Sequence, residues 1–178
     1  MKYTASFKIC IFGDAGVGKT SLTYRFINNR FEQDTKLTLG VDIMAKDIEI
    51  NGYRVKLQIW DFGGEERFRV FLPVYARGSS GGVFMYDTTR KNSLDKIRDW
   101  ISIFKKDLTK EESQIHVLAV GGKKDLTKER AINLENAKNL ASNLNIYDVI
   151  ECSAKTGENV DSIFQSITNR MLESSKLI

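Results

Sequence analysis

The sequence predicts an α/β protein in which helices cover both faces of a six-stranded, mostly parallel sheet. Short apolar runs typical of buried strands alternate with longer segments whose apolar residues recur at helical spacing. One pair of adjacent strand-like runs is the exception, and it predicts an antiparallel strand at an edge of the sheet. With 178 residues and neither repeats nor linkers, the chain is predicted to form a single domain over residues 1–178.

The first strand and the first helix are predicted on either side of a glycine-rich turn. The apolar run SFKICIF at 6–12 predicts a buried strand. The segment SLTYRFINN predicts a short helix, because Leu22, Phe26 and Ile27 recur at helical spacing. The polar stretch over 28–40 predicts a connecting loop.

A hairpin is the clearest local signal in the sequence. The alternating runs VDIMAKDIEI and YRVKLQIWD flank Asn51 and Gly52. Both residue types tolerate the positive φ angles of a type I′ turn, so a two-residue turn is predicted to join two antiparallel neighbours.

The remaining chain alternates strands and helices. Strands are predicted at GGVFMYD (81–87), QIHVLAVGG and YDVIECSA. Helices are predicted at KNSLDKIRDWISIFKKDL, NLENAKNLASNL and NVDSIFQSITNRML. The inward faces of the first and last of these helices are predicted to carry Leu94, Ile97, Ile101, Phe104, Val160, Ile163, Phe164 and Ile167.

Composition and charge argue against several classes of protein. The chain has 27 Lys and Arg against 23 Asp and Glu, and these basic residues are scattered, so nucleic-acid binding is not expected. Cys10 and Cys152 lie far apart without metal-ligand spacing, which favours a reducing, cytoplasmic compartment. No apolar stretch is long enough to span a bilayer, and the C-terminal LESSKLI contains no cysteine for lipidation.

The segment GDAGVGKT at 13–20 has the form G-x-x-x-x-G-K-[ST], between a predicted strand and a predicted helix. Glycines let backbone N–H groups wrap around phosphate oxygens, and the start of the helix adds partial positive charge. Lys19 can reach the β- and γ-phosphates, and the Thr20 hydroxyl can bind Mg²⁺. This segment, the phosphate loop, predicts a site for a nucleoside triphosphate.

Two further motifs, VGGKKDL and ECSAKTG, follow predicted parallel strands, at the edge where open α/β sheets bind ligands. Asp125 can accept hydrogen bonds from N1–H and the 2-amino group of guanine, whereas adenine offers no such pair of donors. The aliphatic stem of Lys123 can cover a flat base. These features predict a preference for guanine.

Four motifs together, GDAGVGKT, the D-x-x-G at 61–64, GKKD and SAK, resemble those of the Ras-like small GTPases in order and separation. LGVD, WDFGGEERFR and YARG are most similar to the Rab branch, in which IGVDF, WDTAGQERFR and YYRG are usual. This resemblance covers the whole chain. It implies the P-loop NTPase fold of a Ras-like G domain. It also implies a GTP/GDP molecular switch that hydrolyses GTP with Mg²⁺ and regulates membrane traffic.

The resemblance also implies a set of site residues. Catalysis is assigned to Lys19 and Glu65, and Mg²⁺ binding to Thr20, Thr38 and Asp61. The nucleotide is assigned to Asp14, Ala15, Gly16, Val17, Gly18, Lys19, Thr20, Ser21, Phe31, Thr38, Gly64, Lys123, Asp125, Ser153, Ala154 and Lys155. By similarity to the family, the ring of Phe31 edges onto the guanine and the N–H of Gly64 senses the γ-phosphate.

Partners follow from the same resemblance. Residues 31–42 (switch I) and 62–77 (switch II) are expected to order around the γ-phosphate and to release after hydrolysis. Effectors, exchange factors and GTPase-activating proteins would bind there, with Trp60 and Tyr75 matching two of three aromatic residues and Ile43 replacing the third. Trp60 taken alone fits the core equally well. The expected protein is a cytoplasmic monomer, peripheral at membranes through its partners.

The sequence departs from the family at three places. Gly122 replaces the asparagine of the base-reading motif, which is expected to weaken nucleotide binding by about 1–3 kcal/mol. Glu65 replaces the glutamine that orients the attacking water; its charge could keep it away from the phosphate or could position water. Ala15 narrows the space for an arginine finger, and Gly63, which with Phe62 replaces a Thr-Ala pair, is expected to loosen the backbone.

Two other functions remain open from the sequence. Glu65 and Gly122 favour a nucleotide-dependent binding module that hardly hydrolyses GTP. An ATP-using P-loop kinase is a further alternative, although no lid or acceptor site can be identified.

Overall fold

A computed structural model describes residues 3–32 and 37–178. Residues 33–36 of the predicted connecting loop and of switch I lie outside the described residues. The strands are β1 (Ala5–Phe12), β2 (Val41–Ile50), β3 (Tyr53–Phe62), β4 (Gly81–Asp87), β5 (His116–Gly122) and β6 (Asp148–Glu151). The helices are α1 (Lys19–Asn28), α2 (Leu72–Ala76), α3 (Lys91–Asp95), α4 (Ile97–Lys105), α5 (Leu134–Ser142) and α6 (Val160–Ser174), with 3-10 turns at Glu66–Phe71 and Glu112–Gln114.

The six strands form one sheet in the order β2-β3-β1-β4-β5-β6. β2 pairs antiparallel with β3, and every other neighbouring pair is parallel. The predicted fold class is therefore confirmed, including the single antiparallel edge strand. Because the parallel strands point the same way, the loops that follow them meet at one edge of the sheet.

The predicted hairpin is also confirmed. Ile50 pairs with Tyr53, so Asn51 and Gly52 alone make the turn. Their φ angles are 50° and 78°. Both values lie in the left-handed region that a type I′ turn requires and that Asn and Gly tolerate best.

Alternate residues of the strands feed two cores on opposite faces of the sheet, as the period of two requires. Ile11 faces the core under α1 and α6, where the rings of Phe26 and Phe164 stack with centroids 3.7 Å apart. Phe12 faces the core under α2 to α5 and stacks on Phe104 at 4.5 Å. All eight apolar residues predicted to face inward from the helices are buried.

The prediction of one continuous helix is wrong in one respect for the segment KNSLDKIRDWISIFKKDL. Lys96, with φ −81° and ψ 5°, interrupts it and separates α3 from α4. The apolar residues keep their helical spacing across the break, because Leu94 and Ile97 are both buried. The periodicity of the apolar residues therefore did not predict the break. The break coincides with a contact of the Lys96 side chain that is described below.

Two strands are shorter than predicted. β5 begins at His116 because a 3-10 turn occupies Glu112–Gln114, and β6 ends at Glu151 because the chain leaves the sheet for a loop. No helix in the described part of the chain combines the length and the apolar character needed to cross a bilayer.

Candidate functional site

The phosphate loop connects β1 to α1, and its glycines take conformations that other residues avoid. Gly18 precedes the first helical residue with φ 107°, and Gly16 has φ 72°. Gly13 has φ 145°, and a Cβ there would collide with the carbonyl of Met85 in β4. The loop can pass this close to the sheet only because Gly13 has no side chain. As a result, α1 starts with its free N–H groups at the opening of a cavity.

That cavity has a volume of about 370 Å³ and lies at the sheet edge where the parallel strands end. The predicted residues that line it are Ala15, Gly16, Val17, Gly18, Lys19, Thr20, Ser21, Phe31, Thr38, Gly64, Glu65, Lys123, Asp125, Ala154 and Lys155. Leu37, Phe62, Met85 and Leu126 also line it and were not predicted. Three of these follow or precede a predicted residue directly, whereas Met85 lies inside a strand and no sequence signal marked it.

Lys19 is buried at the base of the phosphate loop. Its ammonium group donates to the carbonyl oxygens of Gly13, at 2.9 Å, and Asp14, at 2.8 Å. Burial lowers its pKa to about 8, against the attraction of Asp61 and Asp14. A buried cation whose hydrogen-bond partners among the described residues are carbonyl oxygens alone is suited to an anion in the adjoining cavity.

Three oxygen-bearing side chains from separate segments meet beside Lys19. The Thr20 hydroxyl donates to Asp61 Oδ2 at 2.5 Å and lies 2.8 Å from the Thr38 hydroxyl. The other carboxylate oxygen of Asp61 is buried without a partner among the described residues. Burial raises the pKa of Asp61 to about 6, although the Thr20 bond and the Lys19 charge oppose the rise.

This cluster fits Mg²⁺. Mg²⁺ prefers hard oxygen ligands and takes few of them from protein, with waters and phosphates completing its shell. A bound cation would also compensate the unpartnered oxygen of Asp61. Two of the three oxygens in this cluster come from hydroxyls and one from a carboxylate. Within the described ranges, no group of three His, Cys, Asp or Glu side chains is placed to hold a metal.

The opposite end of the cavity contains the residues predicted to read the base. Ser153 donates to Asp125 Oδ1 at 2.6 Å, which orients the carboxylate and leaves its other oxygen for a ligand. Ser153 itself is buried and does not line the cavity. The Lys123 ammonium group lies 2.7 Å from the Asp87 carboxylate. With its charged end held there, the aliphatic stem of Lys123 lies along one wall of the cavity. Phe31, 37% exposed, stands at the rim.

The Asp14 carboxylate does not line the cavity, unlike the residues from 15 to 21 that follow it. It accepts from Lys96 at 2.8 Å, from Trp100 Nε1 at 2.9 Å and from Arg69 at 3.1 Å. Burial opposes ionisation of Asp14, but these bonds and charges outweigh it and hold its pKa below the usual value. Only the backbone of Asp14 therefore faces the phosphate side, while its side chain joins the loop to switch II and α4.

Glu65 lines the cavity but is paired with a neighbouring cation. Arg67 Nε lies 2.9 Å from Glu65 Oε2. This partner was not predicted, because a pair two residues apart depends on the extended backbone at Glu65, where φ is −69° and ψ is 145°.

The space beside Gly122 is filled. A Cβ at this position would lie 2.5 Å from Met85 Cε and 2.9 Å from the Val17 carbonyl oxygen. An asparagine there would have to displace Met85 and move the phosphate loop. Glycine and the unpredicted Met85 therefore fit together.

The glycine pair before Glu65 is packed tightly against both loops. Gly63 N–H donates to the Gly40 carbonyl at 2.8 Å, and a Cβ on Gly63 would collide with the Thr38 carbonyl oxygen. A Cβ on Gly64 would collide with the backbone of Asp14 and Ala15. The expectation that Gly63 loosens the backbone stays a prediction; in this arrangement its missing side chain permits close contact with switch I.

An apolar surface lies next to the cavity. The rings of Trp60 and Tyr75 are 5.9 Å apart, and Ile43, paired with Trp60 across the hairpin, is 53% exposed. Trp60 is half-buried and packs against the core under α2 to α5. Lys8 holds this surface from below, with its ammonium group 3.9 Å from the Trp60 ring and 2.6 Å from the Tyr75 carbonyl oxygen.

Comparisons of the sequence with known proteins agree with the family that the motifs suggested. The sequence pattern that defines the Ras family matches residues 8–173. The Ras-related protein Rab-1 of Theileria parva is 39% identical over 171 residues, which cover 96% of this chain and 76% of that protein.

Two fungal proteins show similar relationships. The Ras-related protein SEC4 of Candida albicans is 37% identical over 96% of this chain and 80% of its own. The GTP-binding protein ypt3 of Schizosaccharomyces pombe is 35% identical over 97% and 83%. The chain therefore belongs to the Ras family of small GTPases and, within it, to the Rab branch.

Proposed function

We propose that this protein is a guanine-nucleotide switch that binds GTP and GDP with Mg²⁺ and hydrolyses GTP. One observation carries the proposal: a single cavity has the phosphate loop with buried Lys19 at one end and the Asp125 carboxylate, oriented by Ser153, at the other. A guanine nucleotide has its charges and its donor pair at matching ends. Residues 1–178 would act as one G domain.

Catalysis in this proposal is electrostatic positioning. Lys19 and the N–H groups at the start of α1 bind the β- and γ-phosphates, and the Gly64 N–H meets the γ-phosphate. Gly64 lies against the backbone of Asp14 and Ala15, where a Cβ would collide. Bound through Thr20, Thr38 and Asp61, Mg²⁺ would neutralise the charge that develops on the phosphate oxygens. Water held near Glu65 is the nucleophile.

The switch in this proposal depends on Thr38 and Gly64. The Thr38 hydroxyl contacts the Thr20 hydroxyl. Close to Thr38 in switch I, the Gly40 carbonyl accepts a hydrogen bond from the Gly63 N–H, which connects switch I to the start of switch II. A γ-phosphate would hold Thr38 and Gly64 together, and its loss would release both segments.

Partners would bind the surface formed by Ile43, Trp60 and Tyr75. Apolar side chains of switch II extend it, because Val70, Phe71 and Val74 are at least half exposed. Large exposed apolar patches mark interaction sites. Effectors, exchange factors and GTPase-activating proteins are the proposed partners. By analogy with its Rab relatives, we propose a role in membrane traffic, with the protein cytoplasmic and peripheral at membranes.

A second candidate is a binding module that hydrolyses GTP hardly at all. The Glu65–Arg67 pair favours it, because a carboxylate engaged by Arg67 is less able to orient water. Ionised glutamate also cannot donate to the phosphate as glutamine can.

Single-turnover hydrolysis of preloaded GTP separates the two candidates. We expect measurable turnover that falls in Glu65→Ala and stays unchanged in Glu66→Ala, since Glu66 is the exposed neighbour. No hydrolysis, together with GTP-dependent partner binding, would favour the binding module instead. The nucleotide that co-purifies tests the base assignment, and tighter binding of ATP than of GTP would overturn it.

A further inference from the structure

Arg90, in the turn between β4 and α3, contacts the phosphate loop. Its Nη2 donates to the Ala15 carbonyl oxygen at 2.9 Å, and its Nε donates to Asp87 Oδ2 at 3.0 Å. The side chain therefore bridges two segments that are 75 residues apart. Arg90 does not line the cavity, and none of the predictions from sequence included it.

Asp87 extends this bridge to the base-reading loop. Its Oδ2 also accepts from the Lys123 ammonium group at 2.7 Å, while Thr89 occupies Oδ1 through its N–H and its hydroxyl. The side chain of Asp87 is 1% exposed. Burial opposes its charge, but the bonds from Lys123 and Thr89 outweigh burial and hold its pKa below the usual value.

Among the described residues, no hydrogen bond joins the phosphate loop directly to the base-reading loop. Gly122 has no side chain, and a Cβ there would lie 2.9 Å from the Val17 carbonyl oxygen. Thr88, beside Asp87, fixes the base-reading loop from behind by donating to the carbonyls of Gly122, at 2.9 Å, and Lys123, at 3.3 Å. The turn over 87–90 thus fixes the base-reading loop, and Arg90 connects that turn to the phosphate loop.

We propose that Arg90 is a positioning residue for nucleotide binding, which sets the distance between the phosphate loop and the base-reading loop through Ala15, Asp87 and Lys123. The inference rests on the proposed nucleotide-binding function. A ligand that must reach both ends of the cavity is bound best when the ends are already spaced for it.

The dissociation rate of fluorescently labelled GDP in excess Mg²⁺, chased with unlabelled GDP at 20 °C, tests the proposal. Arg90→Ala should raise this rate roughly tenfold, since hydrogen bonds to a charged group are lost at a half-exposed side chain. Arg98→Ala is the matched control, because Arg98 is exposed on α4 and forms no hydrogen bond or ion pair with the described residues. The rate of GDP dissociation from this variant should stay within about twofold of wild type.

Two further variants separate positioning from a general loss of stability. Arg90→Lys should give an intermediate rate, because one ammonium group cannot span both acceptors as the guanidinium fork does. In an Asp87→Asn background, Arg90→Ala should have a clearly smaller effect, because the bridge is already weakened.

Three results would overturn the inference: an unchanged rate in Arg90→Ala even with a lower unfolding temperature, a wild-type rate in Arg90→Lys, or strictly additive effects with Asp87→Asn. Failure of the wild-type protein to retain labelled GDP would instead overturn the proposed function.

Discussion

At the residue scale, base selectivity depends on how one carboxylate is held. Asp125 presents one oxygen to the cavity because its other oxygen accepts the Ser153 hydroxyl at 2.6 Å. Ser153 is buried and also accepts the Thr156 N–H at 3.1 Å. The carboxylate is thus oriented before a base arrives, which reduces the entropy lost on binding.

Replacing Ser153 with alanine should therefore weaken the binding of GDP. We expect a loss of about 1–2 kcal/mol, since one buried hydrogen bond disappears and Asp125 becomes free to rotate. The preference for GDP over ADP should fall with it. Equilibrium titration with both nucleotides measures the two effects, and Ser162→Ala, at an exposed position of α6, is the control. Unchanged discrimination in Ser153→Ala would show that Asp125 needs no support.

The sequence allowed prediction of most residues in the cavity but not of their supports. Contiguous motifs marked the loop around Lys19 and the Asp125 carboxylate, because local spacing fixes such loops. The partner of Glu65 is Arg67, and the filler beside Gly122 is Met85. Both depend on backbone angles or on packing between segments distant in sequence, which periodicity and motif spacing do not encode.

At the element scale, one side chain joins three segments. Asp14 of the phosphate loop accepts from Arg69 in switch II and from Lys96 and Trp100, the residue before α4 and a residue within it. The guanidinium group of Arg69 also lies 4.5 Å from the Trp100 ring. Lys96 lies at the interruption between α3 and α4, and its side chain reaches Asp14. The break in the helix is thus accompanied by a specific tertiary contact.

Asp14→Asn should loosen switch II without removing the phosphate loop. The amide can still accept from Trp100, but the charge opposite Arg69 and Lys96 is lost, and we expect a destabilisation of about 1–2 kcal/mol. Backbone hydrogen exchange should rise over 66–77 and remain unchanged in the hairpin. Asp95→Asn, at an exposed position of α3, is the control. Equal protection of switch II in Asp14→Asn and wild type would contradict this role.

Elements differ in how well sequence predicts them. The hairpin was predicted correctly because the turn residues Asn51 and Gly52 determine it locally. The break between α3 and α4 was not predicted, because a tertiary contact of Lys96 accompanies it while the apolar spacing continues unbroken. Local chemistry thus sufficed for the first case and not for the second.

At the scale of the whole molecule, the fold buries two charged groups at the site: Lys19, which lines the cavity, and Asp61, which accepts a hydrogen bond from Thr20 in the cavity wall. Burial lowers the pKa of Lys19 to about 8 and raises that of Asp61 to about 6, so both charged forms are disfavoured without a partner. A nucleotide phosphate would compensate the first charge and a cation the second. Folding and ligand binding should therefore be strongly linked.

The thermal midpoint of unfolding should rise with GDP and Mg²⁺ by mass action. A free ligand concentration of about 1,000 times Kd contributes about 4 kcal/mol, which for a chain of this size corresponds to a rise of roughly 8–16 °C. Differential scanning fluorimetry of protein stripped of nucleotide measures the rise, with ADP at equal concentration as the control. Chelation of Mg²⁺ should remove part of the gain, because Asp61 then loses its cation while Lys19 keeps its phosphate. A midpoint equal in GDP and ADP would contradict guanine selection by Asp125, and insensitivity to chelation would contradict a cation at Thr20, Thr38 and Asp61.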